Sequence, residues 1–153
     1  MSARASRYRP SAISGTDLER LAALLSRAQR DLTLRIAAAL EAEGCAVDRW
    51  RALSLLADDE GHPMVELAEH TLLSPPTLTR LIDGMVADNL VHRRVDERDR
   101  RRVLVLATRR GRALHRRIAA RIERERDSIL SPDLSREDLE RLSALLGALT
   151  TPG

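Results

Sequence analysis

The spacing of apolar residues changes twice along this chain, and this change restricts the fold more than any other feature. From Leu18 to Leu40 the apolar residues recur every three or four positions, which is typical of one face of an α-helix. From Val91 the spacing becomes two, as in a β-strand, and apolar residues return over 103–106 after a charged segment. Helical spacing resumes after Thr108. The sequence therefore predicts a mostly α-helical domain that contains one β-hairpin.

Capping residues predict where the first helices begin and end. Thr16, with Glu19 three residues later, has the spacing of a capping box and predicts the start of the first helix. Gly44 predicts its end, because glycine takes the left-handed conformation after a helix most easily. Asp48 predicts the N-cap of a second helix, which the segment 58–61 terminates.

A helix-turn-helix is expected next. Residues 64–70 form a short helical stretch, and Ser74 then precedes Pro75 and Pro76. Serine at the N-cap with proline in the first turn is a strong start signal, because an N–H group there would have no helical partner. Asn89 predicts the end of this helix, because asparagine tolerates the left-handed conformation.

Two more helices are expected after the hairpin. Thr108 predicts the N-cap of a helix with apolar residues up to Ile129, and Pro132 ends it. Ser135 with Asp138 predicts the start of the last helix, which carries five leucines. The predicted fold class is therefore mostly α with a small two- to three-stranded β wing: a winged helix-turn-helix with N- and C-terminal dimerisation helices.

Length and composition exclude several classes of protein. With 153 residues, 32% charged and 43% hydrophobic, the chain has the size and composition of one globular domain. Its longest apolar runs have five residues, whereas a membrane-spanning helix needs about 20. The basic N-terminus has no apolar stretch behind it, so we expect no secretory signal and a cytoplasmic location.

Residues typical of metal sites and of catalysis are scarce. The single cysteine, Cys45, excludes an intrachain disulfide and a cysteine-based zinc site, and we expect it to act as a small hydrophobic residue. The four histidines lack zinc-binding spacing, and no nucleophile stands in a motif with a base. We therefore expect no metal, no cofactor and no enzymatic activity.

Positive charge is concentrated in one part of the chain. All 26 basic residues are arginine, and the segment 93–126 holds 14 of them against 5 acidic residues, a net charge of +9. The rest of the chain holds 12 arginines against 18 acidic residues, a net charge of −6. A strongly basic segment in a nearly neutral protein indicates a polyanionic partner. The alternative is a solvated helix face.

The helix after Ser74 favours binding to double-stranded DNA. A recognition helix fits the major groove, where its N-terminal residues meet the base edges, and the helix N-terminus directs N–H groups towards phosphate. Thr77 and Thr79 provide hydroxyl groups, and the guanidinium group of Arg80 can bind O6 and N7 of guanine. The alternative is that the two threonines are ordinary surface residues.

The predicted hairpin ends in a charged tip. Basic and acidic residues are mixed there: Asp96, Glu97, Arg98, Asp99, Arg100, Arg101 and Arg102. This mixture suggests that some acids hold some arginines in fixed rotamers, so that others project into the narrow, electronegative minor groove. The alternative is a solvated turn whose ion pairs contribute little.

The segment 72–111 resembles the MarR family of bacterial transcriptional regulators. The matching pieces are Ser74-x-x-Thr77-x-Thr79-Arg80-x-x-Asp83, Asp96-x-Arg98-Asp99-x-Arg101 and Thr108-x-x-Gly111, and residues 50–58 resemble the family's second helix. The resemblance transfers DNA contact to Thr77, Thr79, Arg80, Arg98 and Arg100. The predicted DNA-binding set is completed by Ser74, Pro75, Pro76 and Arg101, and the predicted wing-bracing residues are Asp96 and Asp99.

The resemblance also implies a homodimer on a palindromic operator and, in many relatives, release of DNA by a small ligand. Residues 1–15 are then a flexible basic arm, 16–45 and 108–150 are dimerisation helices, and 46–107 is the DNA-binding lobe of a single compact domain. The long apolar stripes support a dimer, because wet apolar surface costs about 25 cal/mol per Å². The predicted function is a ligand-released repressor.

Two alternatives from other classes remain open. One is a winged-helix RNA- or ribosome-associated module without an effector, and the other is a helical interaction scaffold. The scarcity of aromatic residues, with one tryptophan and one tyrosine, disfavours stacking on single-stranded RNA. A gel shift with the upstream DNA of the gene, competed with RNA, separates these readings.

Overall fold

The computed structural model describes residues 13–131 and 133–150, and these form seven helices and a three-stranded sheet. The elements are α1 (Gly15–Ala42), α2 (Val47–Leu55), a 3₁₀ turn (Leu56–Asp58), β1 (His62–Pro63), α3 (Met64–Thr71), α4 (Pro75–Ala87), β2 (Val91–Val95), β3 (Val103–Ala107), α5 (Arg109–Arg124), α6 (Arg126–Ile129) and α7 (Arg136–Thr150). The predicted fold class is confirmed. Most of the predicted arm 1–15 and Pro132 lie outside the described residues.

The first helix begins earlier than predicted. Its N-cap is Ser14, and Thr16 lies inside the helix. The Ser14 hydroxyl accepts a hydrogen bond from the Asp17 amide (3.2 Å), and the Asp17 carboxylate accepts one from the Ser14 amide (3.0 Å). This reciprocal pair satisfies two amide groups at the helix start, so Asp17 completes the capping box in the role predicted for Glu19.

The second helix also begins earlier than predicted, because Asp48 is not its N-cap. Ala46 takes that position in an extended conformation, and its carbonyl accepts a hydrogen bond from the Trp50 amide (3.0 Å). Asp48 lies in the first turn, where a negative charge favours the positive end of the helix dipole, and it pairs with Arg51 at 3.6 Å.

The helix after the wing is interrupted, whereas the sequence predicts one continuous helix to Ile129. Glu125 (φ −95°, ψ 6°) leaves the helical conformation, so α5 ends at Arg124 and the short α6 follows. The bend directs Ile129 towards α1, where its side chain is buried. Its carbonyl accepts a hydrogen bond from Nη1 of Arg35 on α1 (3.0 Å). Burial of this side chain and capping of its carbonyl favour the bend over a straight helix.

Three predicted helix boundaries are confirmed. The hydroxyl of Thr108 accepts a hydrogen bond from the Gly111 amide (3.0 Å) at the start of α5. Ser135 and Asp138 form the reciprocal bonds of a capping box before α7. Asn89 takes a positive φ of 54° just after α4, in the left-handed conformation that asparagine tolerates.

The hairpin is anchored at one end and projects at the other. The strand order is β1-β3-β2, and both strand pairs are antiparallel. At the anchored end Val91 lies opposite Ala107, and both are buried. At the projecting end Val95 lies opposite Val103, and both are exposed. The wing therefore extends away from the core as a two-stranded ribbon.

One buried apolar cluster joins α1, the helix-turn-helix, the sheet and α5. Its largest members are Leu40, Leu53, Leu56, Leu67, Leu78, Ile82, Met85, Val91, Val105 and Ile118. Gly111 lets α5 approach closely, since a Cβ atom at this position would overlap the carbonyl oxygen of Leu90. The same carbonyl accepts a hydrogen bond from the Thr108 amide (3.0 Å), which fixes the start of α5 on the end of the α4–β2 loop.

The first and last helices leave apolar residues exposed. The exposed leucines of α1 and α7 are Leu18, Leu21, Leu24, Leu32, Leu34, Leu142, Leu145 and Leu149. Within the described chain no residue of α7 is buried. No helix in the described segments is both long and apolar enough to cross a membrane. The predicted roles of 16–45 and 108–150 as dimerisation helices, and of 46–107 as the DNA-binding lobe, stay predictions.

Candidate nucleic-acid interface

The start of α4 exposes fewer N–H groups than the sequence argument assumes. Ser74 is the N-cap of α4, as predicted, but its hydroxyl lies 2.9 Å from Oγ1 of Thr77 and makes no capping bond to an amide. Pro75 and Pro76 occupy the first two positions and have no N–H group. The Leu78 amide donates to the Ser74 carbonyl (2.9 Å). The first turn can therefore offer phosphate only the amide of Thr77.

The outward face of α4 carries the predicted base-contacting side chains. Thr77, Thr79 and Arg80 are all exposed, while the opposite face of the helix is buried in the core. The Thr79 hydroxyl donates to the Pro75 carbonyl (2.9 Å), so its oxygen can still accept a hydrogen bond from a ligand. The side chain of Arg80 makes no hydrogen bond or ion pair with any described residue. Its guanidinium donors are therefore available to a partner.

Ion pairs hold α4 against the wing and against α2. Nη2 of Arg93 in β2 lies 2.7 Å from Oδ1 of Asp83 on α4. Arg49 of α2 pairs with Asp88, directly after α4. The four side chains are between 31% and 57% exposed, so each pair contributes about 1 kcal/mol or less to stability. The first pair nevertheless restricts how α4 can move relative to the wing, and the second restricts how it can move relative to α2.

Two aspartates brace the wing tip through the main chain. Oδ1 of Asp96 accepts a hydrogen bond from the Arg98 amide (2.9 Å), and Oδ1 of Asp99 accepts one from the Arg101 amide (3.0 Å). The structure differs here from the expectation of acids that hold arginine rotamers, because a short aspartate side chain reaches an amide two residues later. The guanidinium groups of the tip make no ion pair with a described residue: Arg98, Arg100, Arg101 and Arg102.

Comparison with known proteins finds similarity to one family. Residues 47–103 match the sequence model of the MarR family. The structure of AbsC, a MarR family transcriptional regulator from Streptomyces coelicolor, is 27% identical to this chain, and the match covers 89% of this chain and 93% of AbsC with a TM-score of 0.69. The central segment of this chain is therefore similar to the MarR family. The matched segment runs from α2 to the first residue of β3 and includes the whole helix-turn-helix.

Two further relatives show what other regulators of this fold do. The homoprotocatechuate degradative operon repressor of Escherichia coli is 29% identical to this chain over 98 residues, which are 64% of this chain. The match spans 66% of that repressor, just under two thirds of its length. The structure of CouR, a transcriptional repressor bound to a 23-mer DNA duplex, is 22% identical and matches over 90% of this chain and 96% of CouR, with a TM-score of 0.72. At this identity the likeness shows the fold alone.

Cys45 lies in the core of this protein. It is 5% exposed, and burial raises the pKa of its thiol, although the nearby charge of Arg49 opposes this effect. A thiol that is buried and protonated reacts slowly with oxidants, which agrees with the predicted role as a small hydrophobic residue. Within residues 13–131 and 133–150 no group of histidine, cysteine and acidic side chains is arranged to hold a metal ion.

One charged cluster, formed by His62, Asp58 and Glu66, is not among the sites predicted from the sequence. Nδ1 of His62 lies 2.7 Å from Oε2 of Glu66, and Nε2 lies 2.8 Å from Oδ2 of Asp58. Burial lowers the pKa of His62, but the hydrogen bonds and charges of Glu66 and Asp58 outweigh it, so the pKa is raised above its ordinary value. The signal in the sequence is an acid four residues before and four residues after the histidine.

Proposed function

We propose that this protein is a MarR family regulator, a homodimeric repressor that binds a palindromic operator in double-stranded DNA and is released by a small ligand. The observation that carries the proposal is the position of the arginines without partners among the described residues. Arg80 lies on α4, and the arginines of the tip lie at the end of the wing. The Arg93–Asp83 pair links these two elements, so both can act on one duplex. The DNA complex of CouR, which has the same fold, supports this use of the fold.

The N-terminal half of α4 suits the major groove. A 13-residue helix is about 20 Å long, and its exposed face presents Thr77, Thr79 and Arg80. The fork of donors on Arg80 matches O6 and N7 of guanine. Ser74 and the Thr77 amide are placed to bind a phosphate, and Pro75 and Pro76 stiffen this turn. We therefore assign base reading to Arg80 and backbone contacts to the first turn.

The wing suits the minor groove beside it. Arg98, Arg100 and Arg101 carry unpaired positive charge on a loop that Asp96 and Asp99 brace. A loop that is already ordered loses less conformational entropy when it binds. The narrow, electronegative minor groove attracts arginine side chains. We therefore assign minor-groove and phosphate contacts to the wing.

A second copy of the chain is the partner that suits α1 and α7. In one chain Leu18 and Leu24 of α1 are each 56% exposed, and Leu145 and Leu149 of α7 are each 59% exposed. Full burial of one leucine contributes about 1.5–3 kcal/mol. In a two-fold dimer each such contact occurs twice. Two symmetric copies would present two α4 helices and two wings, which is the arrangement that reads a palindrome.

Repression and ligand release rest on the relatives. The matched relative from Escherichia coli is the repressor of a degradative operon, and genes for degradation are useful only when the compound is present. A repressor of such genes needs a ligand that binds the DNA-free form better than the DNA-bound form. We infer the same design here, with the effector between the dimer helices and the DNA-binding lobe. The protein then works in the cytoplasm by binding and not by catalysis.

Measuring the affinity for the duplex upstream of the gene tests the DNA-binding part of the proposal. Arg80→Ala should weaken binding by about 1–3 kcal/mol and relax the preference at one base pair. Arg124→Ala is the matched control, because Arg124 is exposed at the far end of α5 and makes no ion pair with a described residue. Fluorescence anisotropy should show loss for the first variant only. Equal affinities of Arg80→Ala and the wild type contradict the assignment of base reading to α4.

Competition and ligand screening test the rest. Unlabelled double-stranded DNA should displace the probe, whereas single-stranded RNA should not; the reverse result favours the RNA-binding alternative. Arg98→Ala should weaken binding to all sequences and reduce the dependence of affinity on salt, because fewer phosphate counterions are released. A thermal-shift screen of small aromatic acids, followed by release of the bound duplex, identifies the effector. Duplex that stays bound with every stabilising compound contradicts ligand release.

A further inference from the structure

The side chain of His62 is held between two carboxylates that belong to different elements. Asp58 ends the 3₁₀ turn and lies at Nε2, while Glu66 lies in the first turn of α3 at Nδ1. The His62 side chain is 13% exposed, whereas both carboxylates are more than 40% exposed. We call these three residues the His62 clamp.

The clamp is complete only when the imidazole carries a proton on both nitrogens. A neutral imidazole has one N–H donor and one nitrogen lone pair, whereas a carboxylate can only accept hydrogen bonds. With distances of 2.7 and 2.8 Å on the two sides, a neutral ring would face one carboxylate with its lone pair. An imidazolium donates to both carboxylates, and such charge-assisted bonds are about twice as strong as neutral ones.

The clamp replaces a helix cap that α3 lacks. The helix begins at Met64 after Pro63, and no side chain bonds its first amides. His62 instead binds Glu66 on the first turn and lies opposite Val105 of β3 in the sheet. The clamp therefore links the start of α3 to β3, one of the two strands of the wing. Because α3 packs against α4, the position of α3 affects the surface that faces DNA.

Other charges face His62 across an open cleft at the base of the wing. On its own side the acids are Asp58, Glu60 and Glu66. Across the cleft the wing contributes three arginines and two acids, Arg94, Arg98, Arg102, Asp96 and Glu97. None of these wing side chains bonds to the ring, so the two clamp carboxylates are the groups that directly stabilise its charge. They raise the pKa of His62 against the opposing effect of burial.

We propose that protonated His62 is a positioning residue of the DNA-binding lobe, which holds α3 against the sheet in the arrangement that binds the duplex. This inference rests on the proposed function. Because the clamp favours the charged ring, its contribution is complete below the ordinary pKa of 6.5 and is lost as the pH rises through the higher pKa of the folded protein. Affinity for DNA should therefore fall across that range. The loss is tenfold for each unit by which the pKa of His62 differs between the closed and open clamp.

The test compares the pH dependence of DNA affinity in three proteins. The wild type, His62→Gln and His70→Gln are titrated onto the upstream duplex at constant ionic strength, from about pH 5.5 to about pH 8.5, a range that brackets histidine titration. His70 is an exposed histidine of α3 whose side chain has no partner among the described residues, so it is the matched control. The wild type and His70→Gln should lose affinity as the pH rises. His62→Gln should bind weakly at low pH and change less.

A second measurement on the DNA-free protein separates this inference from the proposed function. NMR titration gives the pKa of His62, and amide hydrogen exchange in α3 should accelerate as His62 loses its proton. Parallel curves of DNA affinity against pH for the wild type and His62→Gln overturn the inference. A rate of amide hydrogen exchange in α3 that does not change when His62 loses its proton overturns it as well. Absence of duplex binding by the wild type at every pH rejects the proposed function instead, while the exchange data still decide whether the clamp holds α3.

Discussion

Replacing Gly111 with alanine tests how closely α5 is packed on the loop between α4 and the wing. A Cβ atom at this position would overlap the carbonyl oxygen of Leu90, lie 3.0 Å from the carbonyl carbon of Leu90 and 3.2 Å from Cδ2 of Leu53. The neighbour that must move is therefore backbone and not the end of a flexible side chain. That carbonyl also accepts a hydrogen bond from the Thr108 amide (3.0 Å), and the single hydroxyl proton of Thr108 is shared between the carbonyl oxygens of Asn89 (2.6 Å) and Leu90 (3.1 Å).

The magnitude follows from three contributions. Overpacking of a well-packed site costs about 1–3 kcal/mol. If α5 moves away, the hydrogen bond from the Thr108 amide to Leu90 lengthens, and so does the bond that the Thr108 hydroxyl shares between Asn89 and Leu90; each contributes about 0.5–1.5 kcal/mol. The higher helix propensity of alanine offsets this loss of stability by at most about 1 kcal/mol. We expect a net loss of about 2–4 kcal/mol in the free energy of unfolding.

Urea unfolding followed by the fluorescence of Trp50 measures this loss. Trp50 is the single tryptophan and packs against the core cluster, so its emission reports on the DNA-binding lobe. Gly84→Ala is the matched control, because its added Cβ meets only the guanidinium of Arg49 at an ordinary 3.5 Å. The control should be as stable as the wild type or gain up to about 1 kcal/mol. If Gly111→Ala unfolds within about 0.5 kcal/mol of the wild type, the argument from close packing is wrong.

Three further predictions concern other parts of the molecule. A double-mutant cycle of Arg93→Ala and Asp83→Ala should give a coupling energy of about 1 kcal/mol or less in unfolding, but Arg93→Ala should also weaken duplex binding, as measured by anisotropy. Leu145→Ser should shift sedimentation of the proposed dimer towards the monomer, because the exposed face of α7 then loses apolar area twice per dimer. Cys45 should react with a thiol reagent at least about tenfold more slowly than in urea, since burial raises the pKa of its thiol; fast labelling of the folded protein contradicts its place in the core.

The elements with strong local signals could be predicted from the sequence. The N-caps Thr108 and Ser135 and the left-handed Asn89 occur where predicted, because each satisfies backbone groups through its own side chain or conformation. The start of α1 shows the limit of such signals. Both Ser14 and Thr16 precede an acid by three residues, so the pattern alone does not select between them. The start of the helix is decided by the two hydrogen bonds that Ser14 and Asp17 exchange, each from a backbone amide to the side chain of the other residue.

Features that depend on contacts distant in the sequence could not be predicted. The break at Glu125 has no proline or glycine to mark it and depends on burial of Ile129 and on Arg35 from α1. Which residues of α4 are exposed follows from the helix period, so the exposure of Arg80 could be predicted from the sequence. The sequence predicts Asp96 as a bracing residue of the wing tip, but its observed bond to the Arg98 amide depends on the conformation of the loop, which composition does not determine.

The arginines on and next to the predicted DNA-binding lobe fall into two groups that differ in their ion-pair partners. Three arginines pair with aspartates outside their own elements: Arg49 with Asp88, Arg93 with Asp83, and Arg112 with Asp59. Arg80 and the arginines of the wing tip bind no acid among the described residues. Only the second group carries charge that a polyanion can neutralise without first breaking an ion pair. Replacing one of them should therefore reduce the salt dependence of DNA affinity, whereas replacing Arg93 should weaken binding and leave that dependence nearly unchanged.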